Sequence, residues 1–222
     1  MVGEISGKNA NAKPPVPKVF NCPSCAAPVV IRALGHSVSV ACGSCGTVVD
    51  TANENFQILS KATSYRKIEP LIPLGKRGKI HGILWEVIGF MQRSDGSGHY
   101  RWVEYLLFNP ARGYRWLTEF GGHWNYVVTT REKPVEKWTG LLPGSSSLAV
   151  THLGKTYKIF HRGTAKVTFV LGEFYWQVKA GEIVQVEDYI CPPEILSCEK
   201  SKDEVIWSVG EYISADDVWA GF

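Results

Sequence analysis

The chain has 222 residues, 45% of them hydrophobic, and a formal charge of +3. That length supports one substantial core plus a small satellite module and excludes several large domains. No stretch approaches the roughly 18 to 20 consecutive apolar residues that span a bilayer, and Met1 to Lys18 lacks the apolar run of a signal peptide, so the segment reads as soluble and cytoplasmic.

Residues 1–18 carry Gly3, Gly7, Asn9, Asn11, Pro14, Pro15 and Pro17 with almost nothing apolar. Too little surface is available to offset the entropy of ordering, which predicts a flexible tail with order beginning near Val19-Phe20. Two Cys-x-x-Cys pairs follow, Cys22-Pro-Ser-Cys25 and Cys42-Gly-Ser-Cys45. Each pair turns back so that both sulfurs reach one ion, and together they close a four-sulfur shell with no open position for substrate or water. The expected occupant is one structural Zn2+. Short β segments at 29–32, 37–41 and 47–50 complete a zinc ribbon over 19–53. A redox role fits less well, because no βαβ pattern surrounds either pair, and a reducing compartment suits zinc ligation better than disulfides. Four thiolates around a dication add about −2, which leaves a balance near +1 and weakens basicity as an argument for nucleic acid.

From 54 to 222 short runs of Val, Ile, Tyr, Trp and Phe alternate with Gly, Pro, Asn and Ser, the pattern of an all-β sandwich or barrel. Strands are predicted at 83–91, 100–108, 114–120, 124–129, 156–160, 165–171, 174–178 and 183–186. Helical periodicity is not sustained anywhere, apart from a short turn after Ser214, an N-cap followed by Asp216 and Asp217. A faint repeat sets Leu74-Gly75-Lys76 against Leu153-Gly154-Lys155, and Tyr100-Arg101-Trp102-Val103 against Tyr175-Trp176-Gln177-Val178. It suggests two similar halves, about 68–142 and 148–222, packed face to face and joined by the linker at 142–147. Charge divides unevenly. Residues 1–145 hold 17 Lys+Arg against 10 Asp+Glu, a balance of +7, and residues 146–222 hold 7 against 11, a balance of −4. Docking of the two halves on each other is the simpler reading of that asymmetry.

Several segments together carry a resemblance. They are Trp85-Glu86-Val87-Ile88-Gly89 after Gly78, then Trp102 through Phe108, Trp116-Leu117 with Gly122 and Trp124, and Gly172-Glu173-Phe174-Tyr175-Trp176. Asp188-Tyr189-Ile190 with Pro192-Pro193, Glu199, Glu204, and Trp207 followed by Gly210-Glu211-Tyr212-Ile213 complete the set. With the two cysteine knuckles, residues 19–222 resemble a bacterial zinc-ribbon-led family, domain of unknown function 4178. The resemblance implies proteins that are often longer, that continue into transmembrane segments, and that sit beside membrane and polyamine-related genes. It implies no activity. Ala26 departs from the family-like glycine after the second knuckle cysteine, which Gly46 keeps, so a slightly strained first turn is expected.

Other constellations are weaker. Cys191 and Cys198 flank Pro192-Pro193-Glu194 and read as buried, inert thiols in preference to a second metal site or a nucleophile. The acid–tyrosine pairs Glu104-Tyr105, Asp188-Tyr189 and Glu211-Tyr212 would serve a carboxylate-dependent hydrolase if Glu104 and Glu211 converged, and otherwise satisfy strand-end donors. The six histidines lack His-Glu-x-x-His spacing. Lys61, Arg66, Lys67, Lys76, Arg77 and Lys79 form a basic flank beside the ribbon, a possible interaction surface. With Tyr100, Trp102, Tyr114 and Trp116 they offer an alternative reading as a single-stranded nucleic-acid binder. The leading expectation is a non-enzymatic, zinc-binding β-rich module that binds a protein partner in the cytoplasm or at the inner membrane face.

Overall fold

Alternating apolar and polar positions broken by glycine turns favour extended structure almost throughout. The computed structural model describes residues 15–52, 55–61, 67–137 and 149–222. Its elements in chain order are β1 (Lys18–Asn21), β2 (Pro28–Ile31), β3 (Ser39–Ala41), β4 (Val48–Asp50), β5 (Ile58–Ser60), β6 (Arg77–Ile80), β7 (Ile83–Asp95) and β8 (Arg101–Asn109). They continue with β9 (Gly113–Phe120), β10 (His123–Thr130), β11 (Val135–Lys137), β12 (Ala149–His152), β13 (Lys155–Phe174), β14 (Ile183–Cys191), β15 (Glu194–Lys200), β16 (Val205–Ile213) and the helix α1 (Ala215–Gly221). Residues 1–14, which hold most of the expected tail, and the linker 142–147 lie outside the described residues.

Eight strands close into an antiparallel barrel. β7 to β10 form one up-and-down meander and β13 to β16 a second. Like edges join, β7 to β13 and β10 to β16. The two meanders therefore meet edge to edge and do not stack as two facing sheets, because closure pairs the strand edges that a sandwich leaves exposed.

The likeness between the two meanders lies in another register than the sequence echo. Each meander opens with a short strand, a two-residue turn of positive φ and a long strand: β6, His81-Gly82 (φ 50° and 74°) and β7, then β12, Leu153-Gly154 (φ 49° and 76°) and β13. Hairpin twist demands that turn geometry, so Gly154 corresponds to Gly82 and not to Gly75. The second echo fails as well, since 101–103 belong to β8 while 175–178 follow the end of β13. β13 is one strand over 155–174 where the sequence predicts separate strands at 156–160 and 165–171, the predicted strand at 174–178 is not extended beyond Phe174, and β15, β16 and β6 are not among the predicted strands.

Arg93 on β7 contacts Glu199 on β15, and these strands are not neighbours, so their shared face looks into the barrel. Cross-strand register places Met91, Glu104, Leu106, Trp116, Asp188 and Ser197 on that inner face. The outer face of the first meander carries Tyr105, Leu117 and Trp124, buried beneath Ile72, Ile80 of β6 and Val218 of α1. Burial of each such large side chain contributes about 1.5–3 kcal/mol. Ser214 caps α1 as expected, its Oγ accepting the Asp217 N–H at 3.1 Å.

The ribbon is stitched to the barrel. β3 pairs with the last residues of β13, Gly172 to Phe174, and Ala33, Ala41 and Val48 share a core with Ile88, Leu106, Phe108 and Val170.

Candidate metal centre

Each cysteine knuckle is a tight loop tied at both ends by backbone hydrogen bonds. Cys22 N–H donates to the Ala27 carbonyl at 2.8 Å, and its carbonyl accepts from Ala26 N–H at 2.8 Å. Cys42 repeats both bonds with Thr47 and Gly46, each at 2.9 Å. The residue after the second cysteine is left-handed in both loops, Ala26 at φ 59° and Gly46 at φ 69°. Glycine adopts that backbone freely, whereas alanine is strained there by about 1 kcal/mol. The expected strain at Ala26 is thus present.

These loops bring the sulfurs of Cys22, Cys25, Cys42 and Cys45 within 4.8 Å of one another. Cys22 Sγ lies 3.8 Å from Cys45 Sγ, and Cys25 Sγ lies 3.7 Å from Cys42 Sγ. A tetrahedron with metal–sulfur bonds of about 2.3 Å has edges of about 3.8 Å, so the donor set fits a tetrahedral metal ion. Ser44 N–H donates to Cys42 Sγ at 3.4 Å, and the Thr47 hydroxyl sits 3.2 Å from Cys45 Sγ. Hydrogen bonds of this kind orient the sulfurs and support thiolates. Burial pushes the Cys42 thiol up to about 12, against the Ser44 and Cys45 amides, so a thiolate at that position is favoured by a neighbouring cation. Val29, Val40 and Val49, with the stacked rings of Phe20 and Phe56 at 3.9 Å, make the small core behind the centre.

Glu173, fully buried at the end of β13, ties this module to the barrel. Its carboxylate accepts Arg32 N–H at 2.5 Å, Ala33 N–H at 2.9 Å and the Ser37 hydroxyl at 2.6 Å. Burial raises its pKa, and the three donors oppose that shift. Around it, Val38 N–H donates to Phe174 O, Ser39 Oγ to Trp176 O and Tyr114 Oη to His36 O, at 2.8, 2.5 and 2.6 Å. Glu173 belongs to no sequence motif of a site, although one carboxylate inside the apolar run 167–178 is the signal of a buried anion with dedicated donors.

A second charged group lies inside the barrel. Arg93, 5% exposed, donates to Glu199 at 2.5 and 3.2 Å and to Glu104 at 3.3 Å, while Trp102 Nε1–H donates to Glu104 at 2.7 Å. Burial opposes the guanidinium charge, and the two carboxylates more than offset it. Glu104 is held above the usual carboxylate range by burial, despite Arg93. Ser197 Oγ donates to Asp188 at 2.6 Å, and His161 Nδ1 is 3.5 Å from the other oxygen of the same carboxylate. The acid thus stands between hydroxyl and imidazole, which is not the order of a nucleophile–base relay.

Glu211 projects from the opposite face, toward His81 Nε2 at 2.9 Å. The Glu104–Glu211 pair required by the hydrolase reading is therefore not assembled, because an odd register offset places the two acids on different sides of the sheet. Cys191 and Cys198 face Glu194 and Glu187 across the β14–β15 ladder and do not meet, and burial pushes the Cys198 thiol up to about 11. Neither these cysteines nor any histidine joins a metal-holding group among the described residues.

Of the basic flank, Arg66 lies outside the described residues. Lys61, Lys67, Lys76, Arg77 and Lys79 are all exposed, with Lys67 bonded to Glu69 at 3.0 Å and Arg77 to Glu86 at 2.8 Å. The aromatic residues needed beside them for stacking nucleotides are elsewhere. Tyr114 is buried, Trp102 and Trp116 face the barrel interior, and Tyr100 contacts Phe120 near the hairpin tips.

No helix among the described residues is long and apolar enough to cross a membrane. No curated protein and no solved structure matches the chain. A family model described as a domain of unknown function (DUF4178) matches residues 73–215, from just before β6 to the first residue of α1, and the chain belongs to that family.

Proposed function

We propose that this chain is a non-enzymatic interaction module in which one structural Zn2+, held by Cys22, Cys25, Cys42 and Cys45, fixes a ribbon on a β-barrel that presents a surface to a protein partner. The observation that carries this reading is the closed four-sulfur centre, which leaves no ligand position for a substrate. Zinc is the ion whose tetrahedral thiolate preference and lack of redox chemistry best suit such a centre. The charged groups inside the barrel support the same reading, because Arg93 is shared between Glu104 and Glu199 and Asp188 is engaged by Ser197 and His161. The partner surface is the exposed part of the basic flank, Lys61, Lys67, Lys76, Arg77 and Lys79, which suits an acidic protein segment in the cytoplasm or at the inner membrane face.

The test has two arms. Protein purified without added metal is expected to carry one zinc per chain by elemental analysis, and a Cys42→Ser variant none. Capture from native lysate is expected to enrich a partner that the Lys76→Glu/Arg77→Glu/Lys79→Glu variant fails to retain. Metal-free folded protein, or turnover of a substrate, overturns the reading. Retention of single-stranded oligonucleotide with steep salt dependence favours the nucleic-acid alternative instead.

A further inference from the structure

We propose that the metal-loaded ribbon is the closure of one barrel end, so that loss of the metal opens the barrel interior to solvent on that side. This rests on the four sulfurs holding a metal, as argued above. The closing residues, 31–41, are strung between the two cysteine pairs, and metal binding fixes both ends of that segment at once. What they close is defined by contacts. Ala33 and Ala41 complete the core formed by Ile88, Leu106, Phe108 and Val170, and Ser39 holds the 174–178 segment through Trp176 O and Val178 N–H.

That segment lies under the ribbon with its rings turned inward, Tyr175 packing on Tyr114 at 4.7 Å and Trp176 on Trp116 at 5.7 Å. Glu173 is the pivot. Two of its three donors are backbone amides of the closing segment, and Ser37 supplies the third. When the ribbon loosens, this carboxylate loses donors inside an apolar core, so the end of β13 cannot stay docked as it is. Metal release and exposure of the Tyr114, Trp116, Tyr175 and Trp176 rings are therefore one event. The opposite barrel end has no such dependence, because its turns at 95–100 and 120–123 make their hydrogen bonds locally.

Hydrogen exchange on the full chain, with and without a high-affinity chelator, tests this. Chelation is expected to raise exchange at least tenfold at 172–178 and 106–116 as well as at 22–48, while 95–100 and 185–200 change little. Exchange that rises only within 22–48 overturns the proposal. Glu173→Gln is expected to retain one zinc per chain yet lose protection at 32–37 and 172–178. If that variant does not fold, Ser39→Ala supplies the same readout at 174–178. Unchanged protection in the folded variant also overturns the coupling. Zinc content, measured separately, distinguishes this failure from failure of the metal assignment.

Discussion

Arg93 of β7 holds Glu199 of β15 by two hydrogen bonds across the inside of the barrel. One residue belongs to the basic first part of the chain and the other to the acidic second part, so the uneven charge is spent, at this point, in joining the meanders. Removing the guanidinium leaves Glu104 and Glu199 facing each other without a cation. Arg93→Met is expected to cost about 3–5 kcal/mol, toward the lower figure because Glu199 is partly exposed. Urea denaturation measures it, and Arg93→Met/Glu104→Gln/Glu199→Gln should recover most of the loss. A single variant within about 0.5 kcal/mol of the parent would show that the cluster is not holding the barrel.

Glu104 sets a pH dependence. Its folded-state pKa is raised by burial, above the unfolded value of about 4.3. Between those two values the folded chain binds more protons than the unfolded one, so this residue makes stability fall as pH rises through that window. Glu104→Gln keeps an oxygen for the Trp102 N–H and should flatten the decline. The difference between parent and variant, measured from pH 4 to 8 with zinc saturating, is expected to grow with pH in favour of the variant. A constant difference contradicts the assignment.

Gly89 and Gly172 lie opposite each other where β7 meets β13. A Cβ at Gly89 would stand 2.3 Å from the Glu173 carbonyl oxygen, and one at Gly172 would stand 2.3 Å from that of Ile88. Gly172 also has φ of 78°. Alanine at either position is expected to cost more than about 3 kcal/mol or prevent closure, read out by thermal unfolding. Alanine at Gly154, whose Cβ would meet open space but whose φ is 76°, should cost only about 1 kcal/mol.

The two knuckles give a matched pair of substitutions. Ala26→Gly relieves a left-handed alanine and Gly46→Ala creates one. Competition against a zinc chelator should show about fivefold tighter binding in the first case and about fivefold weaker binding in the second, since about 1 kcal/mol is a factor of about five. Equal affinities would mean that the loops do not hold these angles when loaded.

Much of this architecture was legible because its physics is local. Cysteine spacing predicts the knuckles, glycine positions predict turns, and Ser214 with Asp216 and Asp217 predicts α1. Gly163 and Thr164 predict a break within β13, yet its partner β14 continues past them and carries the strand through. β15 was missed because the barrel interior there is polar. Ser197 and Glu199 point inward and Leu196 and Cys198 outward, the reverse of the alternation expected of a core strand. The acid–tyrosine pairs looked alike in sequence, but only register tells that Glu104 faces in and Glu211 faces out. Glu173 and Arg93 needed partners 136 and 106 residues away, which no local pattern encodes.

X-ray absorption at the zinc edge, on protein purified without added metal, tests the metal centre most directly. The expected result is one zinc per chain with a single shell of four sulfurs at about 2.3 Å. A shell containing nitrogen or oxygen, fewer than four sulfurs, or no bound zinc in folded protein contradicts the account.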